Sequence, residues 1–269
     1  MLARDIAREK PAGANIAGYS HRELDIRDAR ALEEAMARAR ADWIFNCAAF
    51  TNVDAAQTQR DDAFAVNATA VGAMAKLCAE RGVRLLHFST DYVFSGGISG
   101  FYSENDATGP VNVYGESKLA GELAVQRSGA AHLIVRPQWL FGVAGRSFVG
   151  LMCDRARARQ RTRVVADQVG CCTYTVDLAR AAWELIERAE GIVHVANRGK
   201  VSRFTLAARV FEHFGVAELV EPCTSEEFGF TTPRPDNSAL SVCRAESLLG
   251  RTLPPWEDAL RRFVVERQS

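Results

Sequence analysis

Apolar positions in this chain alternate between helical spacing and short unbroken runs, and that alternation predicts the fold. MLARDIAREK (1–10) and DARALEEAMARAR (28–40) carry the helical pattern, and the apolar run NIAGY (15–19) between them is expected to be a strand. DWIFNCAAF (42–50) reads as a buried strand running into a loop, and DDAFAVNATAVGAMAKLCAERG (61–82) as a long helix ended by Gly82. VRLLHFST (83–90) is almost continuously apolar, as expected of a strand covered on both faces. The helix that carries Tyr114 and Lys118 follows a long loop, and AHLIVRPQWLFG (131–142) supplies the next strand. Helix and strand in turn predict an α/β fold with a doubly wound parallel sheet.

Beyond about residue 140 the rhythm loosens. SFVGLMCDRARARQ is helical, RVVAD a short strand, and TVDLARAAWELIERAEG a helix expected to end at Gly191. IVHVAN is a strand, and RFTLAARVFEHFG and PWEDALRRFVVERQ are helices. TTPRPDNSALS is a loop by its prolines and polar residues.

Composition narrows the function classes. Thirty-three basic and 33 acidic residues cancel, so no global charge favours nucleic acid or an anionic membrane. The five arginines at alternate positions from Arg155 to Arg163 read as a solvated helix end. No run approaches the roughly 18 apolar residues of a membrane span, and the first residues do not have the pattern of a signal peptide. Seven cysteines, with no CxxC pair, read as reduced thiols in a cytoplasm, and the adjacent Cys171 and Cys172 as ordinary packing. The five scattered histidines have no metal-ligand spacing, and no catalytic metal is expected.

The chemistry concentrates in two places. Tyr114 and Lys118 in VNVYGESKLAGE stand one helical turn apart, so both face one small molecule. A cation beside a phenol favours phenolate, which would lower the pKa of Tyr114 and make it a proton donor near neutral pH. Ser89, Thr90, Asp91 and Tyr92 end the strand before it, where open parallel sheets bind ligands. A hydroxyl there can stabilise a carbonyl oxygen gaining negative charge.

The ordered series STDYVF (89–94), E-x-D (104–106), P-x-N-x-YG-x-SK-x-AGE (110–122) and RPQWLFG (136–142) resembles the dTDP-4-dehydrorhamnose reductase family of extended short-chain dehydrogenases/reductases. LDIRD (24–28), NCAAFTNVDAA (46–56), VNATAV (66–71), DQVG (167–170) and RPDNSALS (234–241) extend the likeness along the chain. The resemblance implies a Rossmann-type domain over residues 1–140 and a small substrate lobe over 141–269, some segments of which return to the sheet. It implies NADPH-dependent, or alternatively NADH-dependent, reduction of the 4-keto group of a nucleotide-linked 6-deoxy sugar. Carried over, Tyr114 would protonate the nascent alkoxide, Lys118 would assist it and hold the nicotinamide ribose, and Thr90 would polarise the ketone. Asp25 and Ile26 would border the adenine, with Ala48, Ala49, Phe50 and Thr51 along the cofactor. Asp91, Tyr92, Trp139 and Arg234 would face the substrate, Arg234 as a fork for its diphosphate. His21 and Arg22 favour NADPH, since a cation there suits a 2′-phosphate. A homodimer is a further expectation. The rival is a non-catalytic binding subunit, because the regulatory subunit of methionine adenosyltransferase resembles the same family.

The chain also departs from the family pattern. The family opens with a strand and a glycine-rich phosphate loop, whereas here no glycine precedes Gly13. Three expectations compete: about 15 residues precede those given, the chain is a short form without catalysis, or a partner's strand completes the sheet. Gln138 beside Trp139, and Cys171–Cys172 after DQVG, are further departures near the substrate side, and they leave open a different nucleotide-linked keto sugar.

Overall fold

The structure, a computed structural model, describes residues 1–268. Four parallel strands form the central sheet, in the order β1 (Trp43–Asn46), β2 (Arg84–Phe88), β3 (His132–Arg136) and the strand Gly191–His194. Leu86 pairs with Phe45 on one side and Leu133 on the other, and Leu133 pairs with Gly191. Alternate residues therefore point to opposite layers. Leu86, Leu133 and Val135 pack with Leu2, Ile6, Leu178 and Leu185 from helices Leu2–Arg8 and Thr175–Leu185. Leu85 and Ile134 meet Leu32, Val71, Met74, Cys78 and Val125 on the other face. Leu85, Leu86, Leu133, Ile134 and Val135 are wholly buried, which is why β2 and β3 read as unbroken apolar runs.

Two expectations are corrected. NIAGY forms no strand, and Ile16 and Tyr19 are exposed. A strand needs a neighbour for its amides and carbonyls, and among the described residues none lies beside this run; β1 likewise pairs only with β2. The helix expected to run to Gly191 stops at Leu185, and Gly191, at φ 76°, instead opens the fourth strand. The helices Val53–Thr58, Ser225–Phe228 and Cys243–Leu249 were not foreseen; Asn52 caps the first by accepting the Ala55 amide at 3.0 Å.

The long helix Val113–Arg127 carries Tyr114 and Lys118, and glycines set its seat. A Cβ on Gly115 would collide with the Tyr92 carbonyl, and one on Gly121 with the Asn67 carbonyl. Only glycine allows so close a backbone approach. Asn112 caps the helix by accepting the Gly115 amide at 2.9 Å. Glu122, one turn beyond Lys118, receives both arms of the buried Arg136 guanidinium at 2.8 and 2.6 Å, tying the helix to β3. A second core around Phe141, Met152, Phe211, Trp256 and Phe263 lies in the C-terminal half. The alternate arginines sit at its surface, where Arg161 and Arg163 pair with Glu221 and Glu227.

Candidate active site

Thr90 and Asp91 leave the carboxyl end of β2, and the helix Val113–Arg127 lays Tyr114 against them. The Tyr114 ring meets Tyr92 edge-on, with centroids 5.6 Å apart. Burial pushes the Tyr114 phenol above its ordinary value, while the nearby Thr90 hydroxyl acts in the opposite direction. The expectation that Lys118 lowers Tyr114 is therefore corrected. Lys118 reaches instead to the end of β2, where its Nζ donates to the Phe88 carbonyl at 2.6 Å.

Lys118 is almost wholly buried, and that burial pulls its amine down to about 8, against the attraction of Glu122 and Cys47. Its Nζ lies 3.5 Å from Nε2 of the wholly buried His87. Asn46 accepts the Ala48 amide on Oδ1 at 3.1 Å, which leaves its NH₂ facing His87 Nδ1 at 3.1 Å. With Nδ1 an acceptor, a neutral imidazole carries its proton on Nε2, toward the lysine. Burial, and then Lys118, hold His87 well below its usual value, so neutral is its resting form.

Asp91 is the other buried ionisable group. Its carboxylate accepts from Thr90 Oγ1 at 3.0 Å, Gln138 Nε2 at 2.8 Å and Ser238 Oγ at 2.6 Å. Burial outweighs these bonds and raises it to about 6. Gln138 also accepts the Cys171 amide at 2.5 Å, so the Asp91 cluster joins three loops. Trp139, next in sequence, adopts φ 42°, a left-handed conformation that costs a non-glycine residue about 1 kcal/mol or more. The neighbouring pairing of Leu140–Phe141 with Thr173–Tyr174 fixes it, and the Arg203 guanidinium lies 3.8 Å over its ring.

The remaining expected residues lie around this centre. Ala48, Ala49, Phe50 and Thr51 form the bend after β1, with Phe50 packed in the Tyr114 cluster and its amide donating to Asn67 at 2.8 Å. Asp25 pairs with Arg27 at 2.6 Å, whose hydrogen bonds hold its carboxyl down to about 2, and Ile26 packs against the helical layer. His21 and Arg22 are exposed. Arg234 grips both oxygens of Asp54 at 2.8 and 2.9 Å and stacks 3.9 Å over Phe230. Cys171 and Cys172 are buried free thiols, raised by that burial, as packing residues should be.

Sequence reasoning passed over several residues that shape the site. Asn67 sits in a π-helical turn, Ala65–Thr69, and its NH₂ donates to Ser117 Oγ at 2.9 Å, whose hydroxyl donates to the Tyr114 carbonyl at 2.8 Å. A π turn inside a helix is a frequent mark of a functional site, but it has no local sequence signal. His87, Arg203 and Ser238 were likewise missed, because only the fold brings them to Lys118, Trp139 and Asp91.

A parallel sheet with these hydroxyl, phenol and amine groups at its carboxyl end defines a Rossmann-type α/β protein of the reductase kind. A family profile described as "RmlD substrate binding domain" matches residues 1–269, and the chain belongs to that family. It is 40% identical over 268 residues to the dTDP-4-dehydrorhamnose reductase of Mycobacterium tuberculosis, a match covering 96% of this chain and 86% of that protein. It is 35% identical to the spore coat polysaccharide biosynthesis protein SpsK of Bacillus subtilis, over 100% of this chain and 95% of the relative. The crystal structure of dTDP-4-dehydrorhamnose reductase from Bacillus anthracis, in complex with NADP, superposes with a TM-score of 0.92 at 35% identity, covering 98% and 95% of the two chains.

Proposed function

We propose that this chain uses NADPH to reduce the 4-keto group of dTDP-4-dehydrorhamnose, giving dTDP-L-rhamnose. The observation that carries the reading is Tyr114 packed edge-on against Tyr92 at the end of the strand that bears Thr90, with Lys118 one turn away, in a chain 40% identical to a reductase of that name. The chemistry that NADPH would supply when bound is hydride for the carbonyl carbon.

The chain's own residues do the rest. The C=O π electrons move onto oxygen, and Tyr114 gives that oxygen its proton; with a phenol held above its ordinary value, Tyr114 is protonated at neutral pH. Thr90 donates its hydroxyl hydrogen to the same oxygen as charge builds there, releasing its bond to Asp91. Lys118 would hold the nicotinamide ribose, with the bend at Ala48–Thr51 along that half of the cofactor and Asp25 and Ile26 toward the adenine. The donor set fits that half of the group: a buried amine and a phenol on one helical face, beside a bend of small residues. Tyr92 and Trp139 wall the sugar. His21 and Arg22 favour NADPH over NADH, and the Bacillus anthracis relative was crystallised with NADP.

The relatives give the binding-subunit alternative no support, since reductases recur among them. Among the described residues no helix is long and apolar enough to cross a membrane, and the seven free thiols suit a reducing cytoplasm. The direct test is NADPH consumption dependent on added dTDP-4-dehydrorhamnose. Consumption without the sugar, or none with it, would contradict the reading.

A further inference from the structure

One cation near the site makes no ion pair among the described residues. Arg203 opens the helix Arg203–His213, is partly buried, and lies flat over two rings, Trp139 at 3.8 Å and Phe148 at 4.9 Å. Among the described residues its guanidinium makes no hydrogen bond and no ion pair, so the in-plane N–H donors are unused. Stacking satisfies the faces of a guanidinium but leaves its five edge donors open. Burial disfavours its charge, and the groups that act on it from the neighbouring elements are Tyr92, Asp91, Cys172 and Arg234. Of these Asp91 is already engaged by Thr90, Gln138 and Ser238.

The contrast with Arg234 decides between the two arginines. Both cations act on the Tyr92 phenol, in the direction opposite to its burial. Arg234, however, is already engaged: one terminal nitrogen donates to both oxygens of Asp54 and the other to the Thr232 carbonyl. A partly desolvated cation with every donor free is costly unless an anion arrives to pair with it. A guanidinium whose orientation is fixed by two rings loses little freedom when it binds a phosphate.

We infer that Arg203, clamped between Trp139 and Phe148, is the main protein ligand of the diphosphate in the nucleotide-linked substrate. Arg234, the residue expected from sequence to take that role, acts beside it only by giving up Asp54. This rests on the proposed keto-sugar reading and names the group that anchors the substrate. It also ties recognition to the strained Trp139, because the ring that walls the sugar is the ring that holds the arginine.

The test is a calorimetric titration of dTDP, inorganic pyrophosphate and NADPH into the wild-type chain, Arg203→Gln and Arg203→Lys. Wild type should bind dTDP, Arg203→Gln should bind it about 10- to 100-fold more weakly, and Arg203→Lys should fall between them. Pyrophosphate affinity should drop in parallel, and NADPH affinity should stay within about twofold. The matching kinetic signature is a raised KM for the keto sugar with kcat nearly unchanged. Equal dTDP affinity in wild type and Arg203→Gln, with keto-sugar reduction intact, overturns the role of Arg203 and leaves the proposed function standing. Weaker NADPH binding with dTDP unaffected overturns it too, by assigning the arginine to the cofactor. A wild-type chain that binds NADPH but neither dTDP nor keto sugar overturns both. Because Arg203→Gln removes a stacking partner, its thermal midpoint is compared with that of Arg203→Lys. A dTDP deficit in the folded glutamine variant, partly rescued by lysine, separates lost charge from lost packing.

Discussion

Lys118 Nζ lies 3.5 Å from His87 Nε2, with both side chains buried and Asn46 fixing the far side of the imidazole. An imidazole that carries its proton on Nε2 suits an amine lone pair and opposes an ammonium. This arrangement works in the same direction as the burial that brings Lys118 down to about 8. A reductase that needs Lys118 charged should lose kcat/KM as pH rises through about 8. In His87→Gln the amide oxygen can face the amine, and the alkaline limb should move upward. Asn46→Asp should do the same, because a carboxylate draws the imidazole proton to Nδ1 and frees Nε2 as an acceptor. An unmoved limb in both variants would show that His87 does not set the lysine's charge. Folding stability follows the same linkage. The depressed folded value makes the Lys118 contribution complete above the unfolded value of 10.5 and lost as pH falls through about 8.

Asp91 titrates in the opposite sense. Its folded value is raised from 3.8 to about 6, so the stability it contributes is complete below 3.8 and lost as pH rises through about 6. The thermal midpoint of Asp91→Asn relative to wild type should therefore climb between those pH values and be level above them. A difference that is flat across that window would mean the carboxyl is not held up by burial.

The buried Arg136–Glu122 pair anchors the helix that carries Tyr114 and Lys118, with both side chains nearly inaccessible. Glu122→Gln leaves the guanidinium without its counter-ion and should cost about 3 kcal/mol or more in denaturant unfolding. It also removes the attraction that favours the Lys118 ammonium, so the alkaline limb should move below its wild-type position. A stability loss without a shifted limb would confine Glu122 to a scaffolding role.

How much of this was legible in the sequence depended on how local the signal was. β2 and the helix Val113–Arg127 declare themselves, one by its unbroken apolar run and the other by Asn112, Gly115 and the one-turn spacing of Tyr114 and Lys118. NIAGY misled because an apolar run becomes a strand only beside another strand, and that neighbour is a tertiary matter. The Tyr114–Lys118 spacing was read correctly as one face of one helix, but spacing could not show that Lys118 reaches the Phe88 carbonyl. The hydrogen bonds His87–Lys118, Asn67–Ser117 and Ser238–Asp91 span 31, 50 and 147 positions, and no short window along the chain holds both partners. Arg234 was singled out for its chemistry, while the carboxylate that occupies it, Asp54, lies 180 residues away.

The central claim is that Tyr114 protonates the carbonyl oxygen of a nucleotide-linked keto sugar. A single-turnover measurement of NADPH oxidation with dTDP-4-dehydrorhamnose, in wild type and Tyr114→Phe, tests it most directly. NADPH affinity, measured alongside by titration, should match between the two proteins, since the ring and its edge-on packing against Tyr92 remain. The account predicts one NADPH consumed per sugar in wild type and a rate about 10²- to 10⁴-fold lower in the variant. A Tyr114→Phe protein that binds NADPH normally and turns over at the wild-type rate would contradict it.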